Sequence, residues 1–293
     1  MKPMRVLLIG NRGQLAQVLI NLAASTNIEC VSIGRPLIDL ADAASTRPIM
    51  TTRLSGANKP DIVINTAAYT NVDAAENDAE EAARINTKAP GEIAIACAEA
   101  DIPLIHISTD YVFSGNKARA WLETDATAPA SVYGQTKLDG EKAIAANWHK
   151  HIIIRTSWLY GGATGNFYAT MDRLSKTHGL LQIVDDQTGC PTYVPNLAKA
   201  ILRIAQQVTD GNAHWGLFNY CDNDSMSWAQ FATKIFASLG RSQCRVQPVS
   251  TAEYDADAPR PAWSVLNCHR IEQVYGVKQA SFEEALRTLA EKP

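Results

Sequence analysis

Through the first half of the chain, short apolar runs alternate with longer segments built from good helix formers. The runs Arg5 to Ile9, Glu29 to Ile33, Asp61 to Asn65, Pro103 to Ser108 and His151 to Arg155 have the length and β-branched content of buried strands. Between them, Gln14 to Ala24, Ala79 to Ala100 and Ser131 to Ala146 are rich in Ala, Leu, Ile, Glu and Lys and read as crossover helices. Strand, helix and strand in repetition predict βαβ units feeding a parallel sheet, an α/β fold of doubly wound, Rossmann type.

After about Gly161 the alternation loosens. The stretch from Asn223 to Pro293 predicts two further amphipathic helices, separated by a segment bearing Pro259 and Pro261. Gly216 to Tyr220 is a candidate strand returning to the sheet. The expected organisation is a larger domain over residues 1–165, extended by 193–222, and a smaller mixed α/β domain over 166–293, partly discontinuous in sequence. A chain of 293 residues is long enough for two such units, at roughly 100–200 residues per domain.

A hydrophobic fraction of 46% with 19% charged residues supports a packed core and excludes extensive disorder. A net charge of −3 and a pI near 6.1 provide no basic field for a phosphate backbone, so no nucleic-acid partner is expected. Small anionic ligands remain open. The six cysteines are scattered without a C-x-x-C pair, which fits reduced thiols in a cytoplasmic protein and no zinc site. The apolar run Val6 to Ile9 stops at Gly10, far short of the ~20 residues that span a bilayer, and no membrane partner is expected.

Gly10-Asn11-Arg12-Gly13-Gln14-Leu15-Ala16 follows the first strand and opens the first helix. Such a loop turns backbone N–H groups and the positive helix end towards a pyrophosphate, although any glycine turn after a strand looks similar. At the end of the second strand, where an acidic residue would accept the ribose hydroxyls of NAD, stands Ser32-Ile33-Gly34-Arg35. Arg35 and Arg12 are candidates for a 2′-phosphate, which favours NADPH over NADH; solvated surface arginines are the alternative. Asp39-Leu40 lies where adenine could be touched, or forms an ordinary exposed loop. Thr66, Ala67 and Ala68, small residues after the third strand, either admit a cofactor or pack under a helix.

The fourth strand runs into Ser108-Thr109-Asp110, so hydroxyl and carboxylate groups emerge at the carboxyl edge of the sheet. Tyr133 and Lys137 then stand four residues apart, on one face of a helix. A phenol with its ordinary pKa near 10 is a slow acid or base at neutral pH, and a neighbouring ammonium favours the phenolate. The spacing alone is common by chance. Its position after a nucleotide loop and a strand-end hydroxyl makes it a catalytic candidate.

On these residues the chain resembles the extended short-chain dehydrogenases, and most closely the dTDP-4-dehydrorhamnose reductase family. The likeness runs through Gly10 to Leu15, Asn65 to Val72 with Asp73 and Glu76, Ser108 to Phe113, Tyr133 to Lys137, and Arg155-Thr156-Ser157-Trp158. It continues through Asp186 to Gly189 with Pro191-Thr192, and Arg260-Pro261 with Ser264. The resemblance implies an NAD(P)H-dependent reduction of the 4-keto group of dTDP-4-dehydro-L-rhamnose, giving dTDP-L-rhamnose for cell-surface polysaccharide. It implies that Tyr133 protonates the alkoxide, Lys137 binds the nicotinamide ribose and lowers the tyrosine pKa, and Thr109 hydrogen-bonds the reacting oxygen. Asp110 and Trp158 are implied to touch the sugar nucleotide, and Arg260 its diphosphate. For Trp158 a core aromatic, and for Arg260 a surface ion pair, are the alternatives.

The chain departs from the family pattern at Ala16, where a third loop glycine is common, and at Asn267, where Asp is frequent. Val18 stands where some relatives carry a glutamate used in a metal-linked dimer, so no metal is expected and the assembly is a monomer or homodimer. Two other functions fit the motifs: a sibling reductase forming a 6-deoxy-L-talose nucleotide, and a non-catalytic regulatory subunit of the same fold.

Overall fold

The computed structural model describes residues 2–161, 165–254 and 256–291. Its first half contains β1 (Met4–Ile9), α1 (Gln14–Ala24), β2 (Ile28–Ile33), α2 (Ala43–Arg53), β3 (Ile62–Asn65), α3 (Val72–Asn77) and α4 (Ala79–Ala83). A π-helical turn over Arg84–Lys88 leads into α5 (Ala89–Ala100), followed by β4 (Leu104–Thr109), a 3₁₀ turn over Asp110–Val112, α6 (Val132–Asn147) and β5 (His151–Thr156). The second half holds β6 (Leu159–Tyr160), α7 (Phe167–Ser175), β7 (Leu180–Val184), β8 (Thr188–Gly189), β9 (Thr192–Tyr193), α8 (Val194–Thr209) and β10 (Gly216–Asn219). Then come β11 (Met226–Ser227), α9 (Trp228–Ser238), β12 (Arg245–Val249), α10 (Thr251–Tyr254), α11 (His269–Tyr275) and α12 (Phe282–Ala290).

One six-stranded sheet runs in the order β10-β5-β4-β3-β1-β2, with every pairing parallel. Both faces are covered, as an all-parallel sheet requires. Along β1, Val6 and Leu8 point into a core shared with α1 and α8, while Leu7 and Ile9 point into a second core shared with α2 and α5. Ile62 and Ile64 against Val63, and Ile152 and Ile154 against Ile153, repeat that division. Each fully buried aliphatic side chain contributes roughly 1.5–3 kcal/mol, so these alternating strands anchor the fold. A third core gathers Tyr160, Phe231, Ile235 and Phe282 among α7, α9 and α12.

The five expected strands and the returning strand β10 all stand in the sheet, their ends within one residue of the expected bounds where those were given. Beyond Asn223 the described residues hold four helices rather than two. α10 and α11 span four and seven residues, too few for an apolar period to repeat. The expected division between residues 165 and 166 borders 162–164, which lie outside the described residues.

Strand order reverses between β1 and β3, so a crevice opens at the carboxyl ends of these two strands. Gly10 follows one and Thr66 the other. The Thr66 N–H donates to Ile9 O at 3.0 Å, and a Cβ on Gly10 would fall 2.7 Å from Thr66 Oγ1. With φ at +109°, Gly10 also holds a backbone shape that side chains rarely adopt.

Candidate active site

One wall of the crevice is built by the loop before α1. Gly13 is the N-cap of α1 and offers no side-chain cap, so the first N–H groups of the helix are left for an external acceptor. Leu15 is buried and anchors the helix, while Asn11 lies against Gly34, where a Cβ would meet its Oδ1 at 2.4 Å. Gln14 ties this loop to the second half of the chain: its amide donates to Leu159 O at 3.4 Å and its Oε1 accepts from Asn166 at 3.3 Å. Arg12 and Arg35 are exposed at the ends of neighbouring strands, and neither has an ion-pair partner among the described residues. Asp39 accepts from the Ala41 N–H at 3.0 Å, Leu40 is buried, and Thr66, Ala67 and Ala68 are partly accessible at the end of β3. An uncapped helix end, two unpaired guanidiniums and a wall of small residues fit a phosphorylated dinucleotide.

Thr109, Asp110, Tyr133 and Lys137 converge beyond the ends of β4 and β5. Thr109 ends β4 and donates to Asp110 Oδ1 at 3.1 Å, and its Oγ1 accepts from the Tyr111 N–H at 3.2 Å. Tyr133 lies in the first turn of α6, where Ser131 caps Gly134 N and Glu76 Oε1 accepts from Val132 N at 2.8 Å. A Cβ on Gly134 would stand 2.3 Å from the Tyr111 carbonyl oxygen. Only glycine lets α6 pass this close to the 3₁₀ turn. Tyr133 thereby shares a hydrogen bond with Thr109 and meets the Tyr111 ring edge-on, at 5.5 Å between centroids.

Burial pushes the Tyr133 phenol up to about 12, against the opposing hydrogen bond with Thr109, and the Asp110 charge adds to the rise. The lowering expected from Lys137 is not in place. The Lys137 Nζ is engaged elsewhere, donating to Ile107 O at 2.7 Å and lying 3.1 Å from His106 Nε2. Burial pulls the Lys137 ammonium down to about 8, opposed by the carboxylate of Glu141. Asp110, whose Oδ2 is buried without a partner among the described residues, is pushed up to about 6 by burial, against hydrogen bonds from Ser264 and Thr109. His106 and Glu141 were not among the residues singled out from the sequence, and Asn65 was read only as a strand end and the start of a motif. For Asn65 and His106 the signal was a polar side chain within an apolar strand run, because a buried polar group must find a partner; Glu141, on α6, carried no such signal.

Just beyond β5, Trp158 has φ at +46°, a left-handed conformation uncommon outside glycine, and stacks on Trp228 with centroids 3.5 Å apart. Its indole covers Gly189, where a Cβ would fall 2.5 Å from Trp158 Cε2 and 2.8 Å from Ser264 Oγ. Arg260 is placed in an ion pair: it donates to Asp73 Oδ2 at 2.7 Å and to Ala258 O at 3.1 Å. It stays half-buried beside Tyr111. A surface depression of about 1050 Å³ lies away from these residues and is lined by exposed Lys2, Thr26, Lys59 and Asp101.

A doubly wound parallel sheet, with a glycine loop after β1, a strand-end threonine after β4 and a Tyr/Lys pair on the next helix, defines an extended short-chain dehydrogenase/reductase. The RmlD substrate binding domain family matches residues 4–292. A dTDP-4-dehydrorhamnose reductase of Sinorhizobium fredii is 38% identical over 98% of this chain and 96% of its own length. The enzyme of the same name from Mycobacterium tuberculosis is 37% identical over 90% of this chain and 84% of its own. Among solved structures, the dTDP-4-dehydrorhamnose reductase of Bacillus anthracis in complex with NADP superposes with a TM-score of 0.89, at 33% identity and 98% coverage of both chains. The Clostridium acetobutylicum reductase gives the same TM-score, 0.89, at 33% identity and 98% coverage of both chains. This chain belongs to the dTDP-4-dehydrorhamnose reductase family.

Proposed function

We propose that the protein reduces the 4-keto group of dTDP-4-dehydro-L-rhamnose to give dTDP-L-rhamnose, preferring NADPH. The observation that carries this reading is the convergence of Thr109, Tyr133 and Lys137 at the carboxyl edge of the sheet, beside an uncapped α1 N-terminus. Gly10 to Leu15 would hold the cofactor diphosphate, with Asp39, Leu40, Thr66, Ala67 and Ala68 along the rest of the dinucleotide. Arg12 and Arg35 support the NADPH preference, because two unpaired guanidiniums suit a 2′-phosphate. When bound, the nicotinamide supplies the hydride.

The chain supplies the proton. A phenol pushed up to about 12 stays protonated at neutral pH, which loads Tyr133 as the acid that a forming alkoxide needs. Thr109 holds the reacting oxygen, and Lys137 holds the nicotinamide ribose. Asp110 receives a sugar hydroxyl on its unpartnered oxygen, and Trp158 forms an apolar wall. Arg260 reaches a diphosphate oxygen only by sharing or leaving Asp73. In this scheme residues 1–165 with 193–222 bind the cofactor and 166–293 bind the sugar nucleotide. The protein acts in the cytoplasm, where pools of nicotinamide cofactor and nucleotide sugar meet, as a monomer or homodimer.

Oxidation of NADPH and NADH with freshly generated dTDP-4-dehydro-L-rhamnose tests the proposal, run beside Tyr133→Phe with the product sugar identified by NMR. The expected result is a rhamnose nucleotide, faster turnover with NADPH, and a loss of about 10²–10⁴-fold in the variant. A 6-deoxytalose product assigns the sibling reaction. Absence of turnover with either cofactor points to a regulatory subunit.

A further inference from the structure

Lys137 is attached to a chain of buried groups that leads away from the site. Its Nζ lies 3.1 Å from His106 Nε2, and the other ring nitrogen, Nδ1, lies 3.1 Å from Asn65 Nδ2. His106 and Asn65 are buried in the middle of the sheet. The backbone sets the orientation of the Asn65 amide, because Asn65 Oδ1 accepts from the Ala67 N–H at 3.1 Å. Its NH₂ end therefore faces the imidazole. An amide nitrogen only donates, so His106 Nδ1 must accept and carries no hydrogen. Burial first, and then the neighbouring Lys137, hold His106 well below the usual imidazole range, so the ring is neutral.

A neutral ring with Nδ1 bare carries its one proton on Nε2, aimed at Lys137 Nζ. An ammonium has three N–H groups and no lone pair, and cannot accept that proton. A neutral amine can: it accepts from Nε2, donates one N–H to Ile107 O at 2.7 Å, and keeps the other free.

We infer that His106, its tautomer fixed through Asn65 by the Ala67 N–H, is a positioning residue that favours the neutral amine of Lys137 over the ammonium in the cofactor-free protein. The fully buried site, which pulls Lys137 down to about 8, acts in the same direction. The other charged and titratable neighbours do not supply a counterion in contact with Nζ. Glu141, one turn along α6, favours the ammonium but is bound to Arg155 of β5 at 2.6 Å and to Ser108 at 2.5 Å. Tyr133, one turn back, is a neutral phenol, and Asp110 acts on Tyr133. The network thus sets the pH range over which Lys137 carries charge. Its consequence for turnover rests on the reductase reading above.

Nitrogen-15 NMR of the full, cofactor-free chain labelled at its six histidines tests this, with the His106 signals assigned by their loss in His106→Gln. Across roughly pH 7 to 9 the expected species is the neutral Nε2–H tautomer. An Nδ1–H tautomer or a cationic ring overturns the proposal. In Asn65→Asp the carboxylate accepts from Nδ1, and the tautomer is expected to reverse. The second readout is the pH profile of kcat/KM for the cofactor, which reports groups of the free enzyme. His106→Gln replaces the donor with an amide whose oxygen can accept from an ammonium, so the loss of activity on the alkaline side should move up by about one pH unit. A uniform fall in activity with the alkaline limb unmoved would mean that His106 only fills space. If the wild-type protein turns over no keto sugar, the functional reading fails, while the histidine NMR still decides this inference.

Discussion

At the scale of single residues, Asp110 shows a site group held against its own preference. It is 2% exposed, one carboxylate oxygen has no partner among the described residues, and burial pushes it up to about 6. The folded protein therefore binds this proton more tightly than the unfolded chain does. Between about pH 4 and 6 the folded state holds the extra proton, so stability falls as pH rises through that window and stays lower above it. A displacement of about two units corresponds to roughly 3 kcal/mol. Asp110→Asn keeps the shape and removes the charge. We expect it to stabilise the fold by about 1–3 kcal/mol at pH 7.5 and to change it little at pH 4, while turnover falls. Urea denaturation at the two pH values checks this; equal effects at both would show that charge burial is not the cause.

At the scale of elements, the approach of α6 to the π-helical turn sets where the Tyr/Lys pair stands. Asn86 in that turn donates to Tyr69 O at 3.0 Å and to Thr136 Oγ1 at 3.2 Å, so it ties the end of β3 to α6. The closeness depends on Gly140, where a Cβ would fall 2.0 Å from Asn86 O. The obstacle is backbone, which cannot rotate away. Gly140→Ala gains helix propensity of under about 1 kcal/mol but forces the two helices apart, for a net loss of about 1–3 kcal/mol. A denaturant midpoint unchanged or raised would refute the close approach. The sequence made the strands and the single helical stretch from Ala79 to Ala100 legible, because apolar period and composition report burial. The break into α4, π turn and α5 was not legible, since the partners of Asn86 lie in distant segments. α2 escaped because Pro48 and three threonines blur its pattern, and Asp42, accepting from Ser45 N, starts it. α8 did carry a readable signal, with Leu197, Ile201, Ile204 and Val208 at helical spacing.

At the scale of the whole molecule, the second half of the chain closes over the carboxyl edge of the sheet through a few contacts. Ser264 reaches Asp110, Trp158 lies on Gly189, and Trp158 stacks on Trp228 at the start of α9. Those segments are some 30 to 150 residues apart in sequence, which is why the motifs were legible singly while their meeting was not. Trp228 itself carries no motif, yet it covers one face of the Trp158 indole. An offset or parallel aromatic pair adds about 0.5–1.5 kcal/mol beyond its burial, and here it also holds a residue whose φ of +46° is unfavourable on its own. Trp228→Ala should therefore let Trp158 relax and degrade the sugar-nucleotide site while leaving the α1 loop untouched. We expect KM for the sugar nucleotide to rise by about tenfold and the Kd for NADPH to stay within about twofold, since 1.4 kcal/mol is a factor of ten. Steady-state kinetics and calorimetric titration of the cofactor check the split. An equal loss in both would mean that the tryptophan stack supports the whole carboxyl edge and not the substrate side alone.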